Sequence, residues 1–215
     1  MTSRISALVS GYYSEDYIET RLINLKKQDC EIVLICQAGS AEHEIGMQYG
    51  LTPILTPDIP PLYTAWNMGI KQSQGKYLTS ANTDDLFHDN ALTIMADELD
   101  RTGAAICHSW LHRNTGGTLE LWERTTGDYN KLKTRCFPGP MPMWRKSLHE
   151  KYGYFDESFQ VAGDWEFWLR VMKAGEKACH IERSLGVYLW RKKSLERRDV
   201  QLHIKERERI RKMYK

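Results

Sequence analysis

No run of apolar residues in this 215-residue chain approaches the ~20 that a membrane-crossing helix requires, so no spanning helix is expected. Residues 1–9 lack a basic start followed by a long apolar stretch, which argues against a secretory leader. Cysteine is scarce and unpatterned. The five thiols, Cys30, Cys36, Cys107, Cys136 and Cys179, are odd in number and show neither a disulfide framework nor a zinc spacing. Cys107-His108 with His112 comes nearest to a metal cluster, and no second half completes it. Unpaired thiols suit a reducing compartment, so a cytoplasmic location is expected. The Walker phosphate loop and the G-x-G-x-x-G fingerprint are also missing. A nucleotide here would need its phosphates held by a metal rather than by a glycine-rich loop. Strong net charge is lacking too, at +2, but the balance is uneven. Residues 191–215 carry eleven Lys/Arg against four Asp/Glu, a local +7 that leaves −5 for the rest. Two readings of this basic tail stand: weak contact with an anionic surface, including a membrane surface, or a solvated helix laced with Glu–Arg pairs.

What the chain has is an ordinary globular composition, 27% charged and 41% hydrophobic, with length for one domain and a substantial core. Apolar runs at 5–10 and 31–36 read as strands, with a weaker one at 52–55 and a fourth from Tyr77. Helical spacing marks 15–28, 42–49 and 64–73. Asn90 is placed to cap a helix reaching Arg101. Further on come a strand at 104–110, a hairpin at 113–128 turning on Gly116-Gly117 and a short helix at 145–152. A helix at 164–174 closed by Gly175 and strands at 177–182 and 186–190 follow, then a basic helix at 196–215. Alternation of strand and helix in the first half implies a mostly parallel sheet covered on both faces. Such sheets bind ligands at the carboxyl ends of their strands. Ser10-Gly11-Tyr12, Cys36-Gln37-Ala38 and Asn82-Thr83-Asp84 lie at such ends and are expected to share one crevice.

Two segments concentrate the chemistry. Tyr77-Leu78-Thr79-Ser80-Ala81-Asn82-Thr83-Asp84-Asp85 is an apolar strand ending in a carboxamide and two adjacent acids. Adjacent carboxylates at a buried strand end repel each other and cost desolvation energy. A positive group between them relieves this, and a hard divalent cation that also holds a phosphate is the usual candidate. An Asx-rich turn without a ligand is the other reading. In Gly163-Asp164-Trp165-Glu166-Phe167-Trp168, an acid opens an aromatic-rich helix. Positions 164 and 168 share a face and 166 points elsewhere, so Asp164 and Glu166 do not form a carboxylate pair. Helix capping explains an Asp here but not the aromatics beside it. Those either stack on a sugar or fill a core.

In order along the chain, four blocks resemble glycosyltransferase family 2 with the GT-A fold. They are Ile5 to Glu15; Tyr63-Thr64-Ala65-Trp66-Asn67-Met68-Gly69-Ile70 with Gly75-Lys76-Tyr77; Asn82-Thr83-Asp84-Asp85; and a module running from Gly139 through Gly153-Tyr154-Phe155-Asp156-Glu157 to Arg170. The resemblance implies an α/β, Rossmann-like GT-A domain over residues 1–195, single, with a mixed, mostly parallel sheet and helices on both faces. The donor half would be about 1–110 and the acceptor half about 111–195. It implies metal-dependent, inverting sugar transfer from a nucleoside-diphosphate sugar to a hydroxyl of a saccharide, lipid-linked or polymer acceptor. Asp84 would bind Mn²⁺ or Mg²⁺ on the donor diphosphate, with Asp85 supporting the metal or its waters. Asp164 would be the general base. Ser10, Gly11, Tyr12, Gln37, Asn67, Asn82 and Arg191 would contact the donor, and Trp144 and Trp165 the acceptor.

The chain departs from the family pattern in three places. Asn82 stands where the DXD motif opens with Asp, keeping an acceptor and adding a donor while losing a charge. Gln37 lies in the segment Cys36-Gln37-Ala38-Gly39-Ser40, where many members carry a base-reading Asp, and Trp190-Arg191-Lys192-Lys193 stands where many members carry His, so Arg191 or Lys192 could hold the diphosphate. Alternative expectations are a transferase acting on modified nucleic acid, suggested by the basic tail, and a non-catalytic GT-A-like binding module.

Overall fold

The computed structural model describes residues 3–191 and 194–215, so Lys192 lies outside the described residues. The elements in chain order are β1 (Ile5–Gly11), α1 (Ile18–Lys26), β2 (Glu31–Gln37), α2 (Ala41–Gln48), β3 (Ile54–Thr56), α3 (Leu62–Gln72), β4 (Tyr77–Ser80), β5 (Leu86–Phe87) and α4 (Ala91–Thr102). There follow β6 (Ile106–Thr115), β7 (Thr118–Trp122), α5 (Tyr129–Thr134), β8 (Met143–Arg145), α6 (Ser147–Tyr152), α7 (Gly163–Lys173), β9 (Ala178–Leu189), α8 (Leu195–Arg198) and α9 (Val200–Met213). One nine-stranded sheet runs β3-β2-β1-β4-β8-β6-β9-β5, with β7 paired to β6. The first four strands are parallel to one another, as the alternating pattern implies. Strand β8 inserts antiparallel between β4 and β6, making the sheet mixed.

Period-two alternation in β1 assigns the two faces. Ile5, Ala7 and Val9 join the core under α1 and α4, while Leu8 joins the core under α3 and α7. The helices therefore cover both faces. Two expectations change. Asn90 precedes α4 with φ of 59° and no side-chain cap bond, so it supplies a left-handed turn rather than a cap. The expected final strand pair is one strand, β9, with register shifts against Ser109 to His112 where two were anticipated. The hairpin at Gly116-Gly117 forms, both glycines at positive φ.

The core under α3 and α7 is rich in aromatic side chains. Trp144 is fully buried, and its Nε1 donates to His149 Nε2 at 2.9 Å. His149 Nδ1 faces Gly153 O at 3.3 Å, and its ring stacks on Phe167 with centroids 4.6 Å apart. An Nε2 that accepts from an indole must be unprotonated. Burial accordingly holds His149 down to about 4, and burial with the His180 and Arg124 charges holds His108 to about 3. Both values lie below that of an unfolded imidazole, near 6.5. Their contribution to stability is therefore complete above about pH 6.5 and is lost as pH falls toward 4 and then 3. Each imidazole accounts for roughly 1 kcal/mol per pH unit in that window. The urea midpoint is expected to drop steeply from pH 6.5 to 4.5, and His149→Gln to flatten the slope. A pH-independent midpoint would contradict this.

Candidate active site

Strands β1 to β4 are parallel, so Gly11, Gln37, Thr56 and Ser80 end at one sheet edge. Because β8 is antiparallel to both β4 and β6, and β9 is parallel to β6, the end of β9 reaches that same edge. This brings Leu189 and Arg191 beside the acidic turn that follows β4.

Asp84 is largely buried, and its Oδ2 accepts from Arg191 Nε at 2.6 Å and pairs with Arg191 Nη2. The Arg191 side chain is 34% exposed and lies 4.7 Å over the Tyr17 ring. Asp85 stands differently. It is fully buried, accepting from Leu189 N at 3.0 Å on Oδ1 and from Asn82 Nδ2 at 3.2 Å on Oδ2. The buried guanidinium of Arg21, on α1, lies 4.6 Å from the Phe87 ring centroid, and its charge acts on Asp85 and Asp84. Burial, then the Asp84 charge, push Asp85 up to about 7, while burial lowers Arg21 to about 10. The positive charge expected beside the two acids is thus supplied by the chain itself, from Arg191 in front and Arg21 behind. Asp85 is corrected from metal support to a strut that ties the acidic turn to β9.

Around the ends of β1 to β3, Tyr12 Oη and Thr56 Oγ1 lie 3.1 Å apart, and Gln37 Nε2 donates to Pro57 O at 3.1 Å. The buried Glu42 carboxylate accepts from Ser14 N at 2.7 Å and Ser14 Oγ at 3.1 Å, pinning the turn after β1. Ser10 and Tyr12 are half-buried and Gly11 buried in this same corner. Ser10, Gly11, Tyr12, Gln37, Asn82, Asp84 and Arg191 are all brought to one edge.

Asp164 sits in the first turn of α7. Its Oδ1 accepts from Trp165 N at 2.8 Å and from Tyr63 Oη at 3.3 Å. Tyr63 is the second residue of α3, which begins after β3, so the contact places Asp164 at the carboxyl edge of the sheet. The approach needs a glycine: a Cβ at Gly163 would stand 2.7 Å from the Tyr63 ring. Sequence reasoning missed Tyr63. The Gly preceding Asp164 was the available signal, and it has meaning only once α3 is packed against it.

Three further expectations are corrected. Asn67 is buried on α3, donating through Nδ2 to Phe155 O at 3.0 Å and Glu157 Oε1 at 2.8 Å and accepting from Phe155 N at 3.1 Å. It clamps α3 to the 155–157 loop and does not face a donor. Trp144 is 0% exposed, and Trp165 is 3% exposed with Nε1 donating to Leu132 O at 2.8 Å. Both fill the core, where their area is removed from water, so neither presents a face to an acceptor.

Among the described residues no three His, Cys, Asp or Glu side chains gather as a metal cage. A hard divalent ion does not require one. Mg²⁺-like ions keep several waters and bind through one or two carboxylates plus substrate phosphates. Asp84 fits that single-carboxylate role once Arg191 moves off Oδ2, whereas Asp85 is committed to Leu189 and Asn82. Among the described residues no helix is long and apolar enough to cross a membrane.

Comparison with known proteins follows the same lines. The family model "Glycosyl transferase family 2" matches residues 6–155. An uncharacterized glycosyltransferase of Bacillus subtilis, YwdF, is 28% identical over 157 residues, covering 66% of this chain and 57% of its own length. Staphylococcus aureus TarS (residues 1–349) in complex with UDP superposes with a TM-score of 0.78 at 16% identity, over 100% of this chain and 65% of its own. The mannosyltransferase PcManGT of Pyrobaculum calidifontis, in complex with GDP-Man and Mn²⁺, gives 0.73 at 17% identity, over 97% of this chain and 65% of its own. The chain thus spans about three fifths of the length of these relatives. With a matching family model over most of its length and a mixed GT-A-like sheet, this chain belongs to glycosyltransferase family 2.

Proposed function

We propose that this chain transfers a sugar from a nucleoside-diphosphate donor to an acceptor hydroxyl at the carboxyl edge of its sheet. The observation that carries the reading is that the Asp84–Arg191 pair and the Asp164–Tyr63 contact both lie at that edge, four residues drawn from four parts of the chain. Tyr12, Gln37 and Thr56 line the corner where a nucleoside would lie. The acceptor hydroxyl gives its proton to the Asp164 carboxylate as its oxygen bonds to the anomeric carbon. The bond from that carbon to the diphosphate breaks, and the electron pair leaves with the diphosphate. Attack opposite the leaving group inverts the anomeric centre. Arg191, released from Asp84, neutralises the departing charge. A Mn²⁺ or Mg²⁺ held by Asp84 would supply Lewis-acid stabilisation of that same charge. Tyr63 and the Trp165 amide hold Asp164 in the orientation that accepts the proton.

TarS has been crystallised with UDP-GlcNAc and PcManGT with GDP-Man, so this fold accommodates more than one base and sugar. A saccharide, lipid-linked or polymer acceptor remains the proposed partner class. The nucleic-acid alternative loses support because the basic C-terminal segment is not a free arm. Its helix α9 buries Glu206 and Ile210 against the body. The test is a thermal-shift screen of UDP-GlcNAc, UDP-glucose, UDP-galactose, GDP-mannose and dTDP-rhamnose, with and without Mn²⁺. One donor is expected to raise the melting temperature in a Mn²⁺-dependent way, by linkage. No shift with any member of that panel would count against the proposal.

A further inference from the structure

Helix α7 begins at Gly163, and Ala162, which precedes it, has no capping side chain. The three backbone N–H groups just before it nevertheless have one partner. Glu206, on the C-terminal helix α9, accepts from Gln160 N at 2.7 Å on Oε1 and from Val161 N at 3.0 Å and Ala162 N at 2.9 Å on Oε2. Its side chain is buried, at 6% exposure. Successive N–H groups at a helix start make an anion-binding concavity, and here a carboxylate more than forty residues away fills it. The same loop is gripped a second time: Arg209, one turn along α9, pairs with Asp156 at 3.2 Å and lies 4.1 Å over the Phe159 ring.

We infer that Glu206 is a positioning residue for sugar transfer: by binding the 160–162 amides it sets the start of α7 and hence the direction of the Asp164 carboxylate. The inference rests on the reading of Asp164 as general base. Asp164 is two residues past the last amide that Glu206 holds, and it meets Tyr63 across Gly163, where there is no room for a Cβ. A small rotation of that loop moves Asp164 off the acceptor without touching the donor corner, which lies on β1 to β3. The C-terminal helix is thereby part of the active-site scaffold.

The test uses the full chain with Glu206→Gln, an isostere that removes the charge and sets an amide NH₂ against backbone N–H groups. With the donor selected by the screen, kcat is expected to fall about 10- to 100-fold, as misplacement of a reacting group does, with donor KM within about twofold. Hydrogen exchange by mass spectrometry needs no donor and is expected to show faster exchange at 160–165 but not in β1 to β4. Tyr214→Phe is the control. It removes the hydrogen bond from Tyr214 Oη to Glu166 Oε1 (2.7 Å), another anchor of the C-terminal segment, and is expected to lower the melting temperature without lowering kcat. If Glu206→Gln does not fold, Glu206→Asp replaces it, with an intermediate loss of kcat expected. Unchanged exchange at 160–165, an unchanged kcat, or an equal kcat loss in Tyr214→Phe would each overturn the inference. Wild-type rates in Asp164→Asn would instead sink the general-base reading while leaving the exchange result standing.

Discussion

Asp164→Asn is expected to lower sugar transfer by about 10²- to 10⁴-fold, the range that a positioned general base contributes. The substitution is well posed because the side-chain shape is kept. An Asn oxygen can still accept from Trp165 N and Tyr63 Oη, which both reach Oδ1 in the native protein. Helix α7 therefore keeps its start, and the aromatic core behind it is undisturbed. What is lost is the basicity that takes the acceptor proton. Nucleotide affinity, read as the thermal shift with the nucleoside diphosphate, is expected to stay within about twofold, since the donor corner lies on other elements. Initial rates measured beside that shift decide the matter: transfer at an undiminished rate removes Asp164 from the base role.

Asp84→Asn is expected to remove most of the Mn²⁺ dependence of donor binding and to lower transfer by roughly 10²-fold or more, since charge stabilisation by a Lewis acid is worth several kcal/mol. The cost to folding should be small. Arg191, 34% exposed, can turn toward solvent, and the Asn amide oxygen can still accept from it, so no buried charge is left unpaired. A large loss of activity with a small shift in melting temperature would therefore separate the chemistry from the fold. Asp85→Asn supplies the contrast. An amide oxygen there can still accept from Leu189 N, and the change relieves the repulsion that helps push this buried acid up to about 7. It is expected to retain the Mn²⁺ response. Equal loss in both variants would mean that the two acids act together after all, against the division of labour drawn from their burial.

Much of the candidate site's edge was legible in the sequence because strand ends are local events. The apolar runs at β1, β2 and β4 each stop at residues that change polarity, and parallel pairing carries those stops to one edge. Ser10, Gly11, Tyr12, Gln37, Asn82 and Asp84 were read on that basis. The aromatic residues were less legible. A Trp at an active site and a Trp in a core look alike in one dimension, and only packing showed that Trp144 and Trp165 are buried, with indole N–H groups bound to His149 and Leu132. Asn67 misled for a related reason. Its partners at 155 and 157 lie far along the chain, so a pattern that reads as ligand contact is a brace between two blocks.

By itself the sequence determined the architecture and the positions of the acids, because hydrophobic period, breakers and the order of motifs are properties of neighbouring residues. Only the tertiary structure decided what surrounds each acid. Whether a carboxylate faces a crevice, a guanidinium or three backbone amides depends on groups brought together from distant segments. Asp84 met Arg191, Asp85 was enclosed with Arg21 behind it, Asp164 met Tyr63, and Glu206 reached back from the last helix to the loop before Asp164. A carboxylate's chemistry is set by its solvation and by the charges and donors around it, and these exist only after the chain has closed upon itself.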